Sequence, residues 1–216
     1  MGKESITNRP LVLIAAIAGL ALVPFVLIMI TSFVKIAVVM SIVRQAIGTQ
    51  QIPPTQVITG MAIILTIYVM TPVGLDIYAS AQDELLARAP KGKGFIESIT
   101  VEQITEIGKQ AQHPIRQFLL KHAHLKDRDM FYKLAWKMRK PRDRATLTDE
   151  DFSIIVPAFV ISELKEAFQI GFIIFVPFLV IDMVVANILM ALGMQMLSPT
   201  TISLPFKILL FVMVDG

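Results

Sequence analysis

An uninterrupted apolar run from Leu11 to Ile30 most constrains what this chain can fold into. Its 20 residues, at about 1.5 Å per residue, form a helix that spans the roughly 30 Å hydrocarbon core of a bilayer. Lys3 and Arg9 precede the run, as basic residues precede the core of a signal peptide. The run is longer than such cores, however, and apolar sequence resumes as far as Met40. We therefore predict a retained membrane helix.

A second apolar segment without charge follows between residues 45 and 75. Pro53-Pro54 is suited to opening a helix, and Pro72-Val73-Gly74 is suited to ending one. The segment therefore predicts a second helix from Val57 to Thr71. Lys35 and Arg44 lie between the two predicted helices, and the positive-inside rule favours the cytoplasm for that connection.

Charged residues are concentrated in the middle of the chain. Of 216 residues, 55% are hydrophobic and 17% are charged, and 25 of the 37 charged residues lie at 76–150. The sequence therefore divides into apolar N-terminal helices (1–75), a polar helical region (76–150) and an apolar C-terminal block (151–216). The central region holds 14 Lys/Arg against 11 Asp/Glu, a balance that argues against a nucleic-acid partner. The absence of cysteine excludes disulfides and thiolate metal sites.

The central region predicts amphipathic helices. Apolar residues recur there with a helical period, at Ile99, Ile104, Ile107, Ile115, Phe118, Leu119, Phe131, Leu134 and Ala135. Residues 89–94 are expected to form a loop, and residues 137–144 a basic connector.

The C-terminal block predicts broken helices. The apolar stretch from Phe152 to Ser162 is too short to cross a membrane before charges begin at Glu163. Prolines also punctuate the block, at Pro157, Pro177, Pro199 and Pro205. Broken helices persist at membrane depth only where protein or a water-filled cavity surrounds them, so we expect a multi-subunit assembly.

Isolated charges within apolar sequence are candidate functional residues. An ionised group at the bilayer centre costs about 2.5–3.5 kcal/mol, so it needs a partner or water. We predict that Lys35 and Lys207 pair with carboxylates among Glu163, Glu166 and Asp182, within or between subunits. Proton relay is the alternative interpretation of these residues.

A methionine-rich segment lies where the last long helix should break. Met194, Gln195 and Met196 stand between Gly193 and Ser198-Pro199. Flexible, polarizable methionine side chains adapt to irregular surfaces. The segment is consistent with a deformable seal, and ordinary core packing is the alternative.

The sequence carries no signature of an enzyme. It lacks a phosphate-binding loop, a zinc-protease helix, a nucleophile elbow and a dinucleotide fingerprint. His122 and His124 would point to different faces of a helix, which disfavours a metal site. We predict neither a catalytic activity nor a cofactor.

Several longer motifs resemble one family over nearly the whole chain. In the first half they are Thr31-Ser32-Phe33-Val34-Lys35, Gln50-Gln51-Ile52-Pro53-Pro54 and Tyr68-Val69-Met70-Thr71-Pro72-Val73. In the second half they are Ser162-Glu163-Leu164, Ala167-Phe168-Gln169-Ile170-Gly171-Phe172, Pro177-Phe178-Leu179-Val180-Ile181-Asp182 and Ile202-Ser203-Leu204-Pro205-Phe206-Lys207. The chain resembles the FliP/SctR (YscR-type) family of type III secretion and flagellar export-apparatus proteins. Its N-terminal motifs look more like the injectisome branch than the flagellar branch.

The resemblance implies an all-helical subunit of an export gate through which unfolded proteins cross the bacterial inner membrane. Five copies would join SctS/FliQ-like and SctT/FliR-like subunits, with lipid around the assembly and the central region in the periplasm. The methionine gasket of the family would map onto Met194, Gln195 and Met196. Many members carry three methionines there, so Gln195 is a departure, and we expect its side chain to point away from the channel axis.

Two classes of function are consistent with these features. The leading hypothesis is a non-enzymatic, protein-conducting gate subunit. The alternative is a transporter of small solutes or ions that uses the embedded charges. Stoichiometry distinguishes them, because a transporter should act as a monomer or small oligomer and a gate subunit should form a stable ring-like complex.

Overall fold

The computed structural model describes residues 10–49, 52–87 and 101–214, and every regular element within these ranges is a helix. The long helices are α1 (Pro10–Met29), α2 (Phe33–Ile47), α3 (Thr55–Ala87), α4 (Val101–His122), α5 (Leu125–Met138), α6 (Phe152–Ala191) and α7 (Pro199–Met213). A 3₁₀ turn, Pro141–Asp143, lies in the predicted basic connector. The predicted all-α class is confirmed, and the predicted loop at 89–94 lies outside the described residues.

α6 is the central helix and contacts α2, α4, α5 and α7. α3 packs against α2 and α4, and α1 contacts α2. Gly171 of α6 permits close packing with α2, because a Cβ atom at this position would lie 2.3 Å from Ile42 Cδ1. The lack of a side chain at Gly171 therefore sets how closely the two helices approach.

The buried core lies where the end of α4 meets the first half of α6. Its members are Leu119, Ala123, Ile155, Ala158 and Phe159. The ring of Phe118 extends the cluster, with its centroid 5.6 Å from that of Phe159. Burial of one large apolar side chain contributes about 1.5–3 kcal/mol, so this cluster attaches the polar central region to the apolar helices.

The predicted end of the second helix at Pro72 is wrong. α3 continues through Pro72 as far as Ala87. A proline inside a helix removes one hydrogen bond and costs about 3 kcal/mol, but α3 also packs against α2 and α4. The predicted boundary at residues 75/76 consequently falls inside a helix, and the three-part domain division stays a prediction.

The predicted breaks at Pro157, at Pro177 and at the charges from Glu163 onward are also wrong. α6 is one helix of 40 residues, about 60 Å long. Its charges do not interrupt it, because side chains of neighbouring elements pair with them. The predicted break before Pro199 is confirmed, since α6 ends at Ala191 and α7 begins at Pro199.

Within the described ranges, two helices are long and apolar enough to cross a membrane, namely Thr55–Ser80 of α3 and Phe152–Ala191 of α6. The segments Ile17–Met29 and Phe33–Ile47 form a pair bent by 63° that is apolar enough to count as a third candidate. α1 agrees with the predicted helix from Leu11 to Ile30 to within a residue at each end. α7, with 15 residues, is shorter than a span.

The amphipathic prediction for the central region is partly confirmed. Leu119 on α4 is fully buried, and Ile115 and Phe131 are half-buried against the core. Leu134 was expected on the same inward side of α5, but it is 49% exposed. The side chains of Ile99, Ile104 and Ile107 lie outside the described residues.

Candidate functional site

A first charge cluster joins α2 to the middle of α6. The Nζ atom of Lys35 lies 2.9 Å from Glu163 Oε1 and 2.6 Å from Glu166 Oε2. Glu163 and Glu166 are three residues apart and therefore share a face of α6. Glu163 is 2% exposed, and its Oε1 atom accepts no well-aligned hydrogen bond within the described part of the chain. One lysine thus lies between two carboxylates that would otherwise repel each other.

The same turn of α6 is tied to the corner between α4 and α5. The backbone N–H of His124 donates to Ser162 Oγ at 2.9 Å, and that hydroxyl donates to Asp127 Oδ2 at 2.9 Å. Lys165 forms an ion pair with Asp127, and His124 Nε2 lies 2.5 Å from Glu166 Oε1. The two groups of contacts form one continuous polar network across three helices.

Asp127 is the buried acidic group of this corner, with 3% exposure. Burial alone would raise the pKa of its carboxyl group. Hydrogen bonds from Lys165 and Ser162, together with the nearby positive charge, outweigh that effect and hold the pKa below its ordinary value. Asp127 therefore stays ionised and fixes the start of α5 against α6.

Sequence reasoning missed Asp127, Ser162 and His124 as members of this network. The signal available was the polar run at 162–166 inside an apolar helix, which requires partners at this depth. Nothing in the sequence says that the partners come from a corner 38 residues away.

A second charge cluster joins α6 to α7. Lys207 is 3% exposed, and its Nζ atom lies 2.6 Å from Asp182 Oδ2. Ser203, one helical turn earlier on α7, donates to Asp182 Oδ1 at 2.5 Å. A Cβ atom on Gly48, which ends α2 with a φ of +82°, would lie 3.4 Å from Lys207 Nζ. The ammonium group is therefore close to the C-terminus of α2, where the helix dipole favours a positive charge.

The five embedded charges thus fall into two separate groups within one subunit. Lys35 meets Glu163 and Glu166, while Lys207 meets Asp182. Their role in a membrane assembly stays a prediction.

The methionine-rich loop begins with a specific helix ending. Gly193 has a φ of +71°, its N–H donates to Met190 O at 3.1 Å, and the N–H of Met194 donates to Leu189 O at 2.9 Å. This pair of bonds is the Schellman motif, which favours glycine because of the left-handed conformation. The motif turns the chain sharply away from α6 before the loop.

The side chains of the loop are exposed. Met194 is 49% exposed and Met196 is 100% exposed, and Gln195 is also exposed. Met183 and Met190 on α6 are each 59% exposed, so neither lies in the core of the single subunit. The loop is accessible at one end of the α6–α7 hairpin, and its role as a seal stays a prediction.

Apolar side chains cover much of the remaining surface. They are exposed along α1, the apolar part of α3, the second half of α6 and α7, with examples at Leu20, Phe25, Ile64, Ile67, Phe172, Ile173, Val180, Leu209 and Val212. Apolar surface this extensive is covered by lipid or by other protein subunits. Among the described residues, no group of three or more His, Cys, Asp or Glu is placed to hold a metal ion.

Known proteins match this sequence over nearly its whole length. The sequence matches the FliP family over residues 16–216. It is 38% identical to the hypersensitivity response secretion protein HrcR of Ralstonia nicotianae, over 94% of this chain and 90% of that protein. It is 43% identical to the Yop proteins translocation protein R of Yersinia pestis, over 94% and 89%.

A flagellar relative matches at a similar level. The flagellar biosynthetic protein FliP of Bacillus subtilis is 47% identical, over 89% of this chain and 80% of that protein. Identity therefore does not separate the secretion branch from the flagellar branch, and the preference for the injectisome branch stays a prediction.

Proposed function

The chain belongs to the FliP family, and from that premise we propose that it is a core subunit of a bacterial type III export gate. The gate forms the channel through which unfolded proteins cross the inner membrane. The observation that carries this function is the extent of the family match, which runs from residue 16 to residue 216. It includes both charge clusters and the methionine-rich loop, and it confirms the resemblance predicted from the motifs.

The exposed apolar helices support assembly with other subunits. We propose a homo-oligomer, a pentamer by family resemblance, joined by SctS/FliQ-like and SctT/FliR-like subunits. α6 is about 60 Å long, which is about twice the hydrocarbon thickness of a bilayer. Part of its exposed surface is then available to neighbouring subunits. The role is structural and includes no catalytic step.

The two charge clusters hold the helices of one subunit in place. Lys35 with Glu163 and Glu166 fixes α2 against α6, and Lys207 with Asp182 fixes α7 against α6. We propose that these pairs neutralise charges that would otherwise be unpaired in the membrane assembly.

We place the exposed loop of Met194, Gln195 and Met196 at the narrowest point of the channel, as a deformable seal. Rigid branched side chains would either block an extended polypeptide or let ions pass when the gate is idle. Flexible thioether side chains can close on one another and then spread around varied substrate side chains.

Mass measurement of the complex extracted in detergent tests the assembly. We expect a ring-like complex of several copies with partner subunits. A monomer or dimer that transports small solutes would instead support the transporter alternative.

Ion leakage through the inner membrane tests the seal. The double variant Met194→Ala/Met196→Ala should assemble normally, leak ions and slow growth. The matched control is Met183→Ala/Met190→Ala, which makes the same change outside the loop and should not leak. If the loop variant stays tight to ions, or crosslinkers placed in the loop capture only lipid and partner subunits, the seal lies elsewhere.

A further inference from the structure

A groove of about 320 Å³ lies on the surface of α5 and plays no part in the function described above. All of its lining residues belong to this helix, and they form two pairs at four-residue spacing, namely Tyr132, Lys133, Trp136 and Lys137. The side of α5 that packs against α6 carries Asp127 and Phe131 instead. The groove therefore faces away from the core of the subunit.

Aromatic rings and cations meet at this groove. The ring centroids of Tyr132 and Trp136 lie 6.4 Å apart, and the guanidinium group of Arg144 lies 5.3 Å from the centroid of Trp136, within the range of a cation–π contact. Nε of Arg144 donates to the backbone oxygen of Arg139 at 3.2 Å, which leaves its terminal N–H groups for another acceptor. Trp136 is still 42% exposed, so its ring can be covered by an occupant.

The cations at the groove call for carboxylates from elsewhere. Lys137 and Arg144 form no ion pair with any residue of the described ranges. Asp149 is close to Tyr132, but it pairs with Arg128. An occupant that fits would therefore combine negative groups with an apolar or aromatic side chain.

The orientation of α5 argues against lipid as that occupant. α5 runs antiparallel to α6, because its start is bonded to Ser162 and its end to Ser153. Since α6 is a candidate span, α5 runs along the membrane normal, whereas lipid-binding amphipathic helices lie in the interface plane. Lys126 and Lys137 are 11 residues apart, about 16 Å along the axis. A headgroup layer is roughly 5–8 Å thick, so one layer cannot hold both lysines.

A second copy of the chain is also a poor fit. The acidic turn around Asp149 and the groove both adjoin Tyr132, so they lie on the same side of α5. Neighbours in a closed ring contact each other through two different surfaces of the subunit. The acidic turn of one copy would therefore not face the groove of the next.

We propose that the groove is a docking site for an acidic segment of a different protein, one that carries an aromatic or long aliphatic side chain beside its carboxylates. The apolar side chain packs on Tyr132 and Trp136, and the carboxylates accept hydrogen bonds from Lys137 and Arg144. Tryptophan, tyrosine and arginine are the side chains that contribute most to protein–protein interfaces. This docking site does not depend on the conduction of substrate, so its failure would leave the proposed gate intact.

The test is carbodiimide crosslinking of isolated membranes that contain the assembled complex. The reagent joins a lysine amine to a carboxylate in contact with it, by forming an amide bond, and the carbodiimide takes up the water as a urea. Mass spectrometry identifies the joined peptides. We expect Lys137 to be joined to an Asp or Glu of a different protein, in a segment that also holds an aromatic or long aliphatic side chain. The exposed pair Lys133–Asp129, 2.6 Å apart, is the internal positive control.

Variants show whether the groove itself makes the contact. Arg144→Gln and Trp136→Ala should each lower the yield of the Lys137 crosslink roughly tenfold, as loss of one interface anchor allows. The matched controls are Arg142→Gln and Met138→Ala, which lie outside the groove and should leave the yield unchanged. The Lys133–Asp129 crosslink reports that α5 is still folded in each variant.

Two results would overturn the docking site. One is a Lys133–Asp129 crosslink without any crosslink at Lys137, and the other is a Lys137 crosslink to a carboxylate of this chain. A Lys137 crosslink that persists in both Arg144→Gln and Trp136→Ala would equally show that the groove does not hold the partner.

Discussion

Replacing Gly171 with alanine adds one methyl group where α6 packs against α2, and it should push the two helices apart. A Cβ atom there would lie 2.3 Å from Cδ1, 3.0 Å from Cγ2 and 3.1 Å from Cβ of Ile42. Rotation of the Ile42 side chain moves Cδ1 away, but Cβ cannot move without the backbone of α2. Overpacking of this kind costs about 1–3 kcal/mol.

Alanine is also a better helix former than glycine by about 1 kcal/mol, so a matched control is needed. Gly60→Ala and Gly74→Ala make the same change inside α3, where nothing lies within 4 Å of the new Cβ atom. The difference between Gly171→Ala and these controls isolates the clash. For a chain of this size, it corresponds to a melting temperature roughly 2–12 °C lower.

The assay is thermal unfolding of the purified subunit complex, followed by loss of helical signal and of complex integrity. Ile42→Val removes the Cδ1 atom, so the double variant Gly171→Ala/Ile42→Val should be destabilised by less than the sum of the single changes. If Gly171→Ala melts together with Gly60→Ala and Gly74→Ala, the close contact between α2 and α6 does not exist as described.

Three other predictions concern substitutions at charged residues. Lys207→Met should lower the yield of the complex, because breaking a buried ion pair costs about 3–5 kcal/mol. Adding Asp182→Asn should partly restore that yield. If Lys207→Met causes no loss of yield, the pair is not required for the structure. The pKa of Asp127 is lowered, so the stability that its ionised carboxylate provides should be complete above about pH 4 and be lost as the pH falls further. Fluorescence of Trp136, the one tryptophan in the sequence, should report that transition on α5. A transition that persists in Asp127→Asn would contradict the prediction. A cysteine at Lys126 should react with a membrane-impermeant reagent in cells whose outer membrane is permeable to it, and reaction only after the inner membrane is broken would refute a periplasmic central region.

The sequence by itself determined the helical class and the ending of α6. Apolar periodicity depends on neighbours within a few residues, so it identifies helices without knowledge of the fold. The left-handed conformation at Gly193 and the proline at 199 act in the same local way, and the break between them was predicted correctly. The family motifs are local as well, and they carried the resemblance that the comparisons confirm.

Only the tertiary structure decided which helices continue and which charges meet. Pro72 and Glu163 looked like interruptions, because their local effects are unfavourable and their compensating contacts come from other helices. Lys35 reaches Glu166 across 131 residues of sequence, and no local pattern assigns it there instead of to Asp182. Interactions within a helical turn are encoded by adjacent residues, whereas ion pairs between helices depend on how the whole bundle packs. The set of pairing residues was therefore predicted from the sequence, but which carboxylate each lysine meets was not.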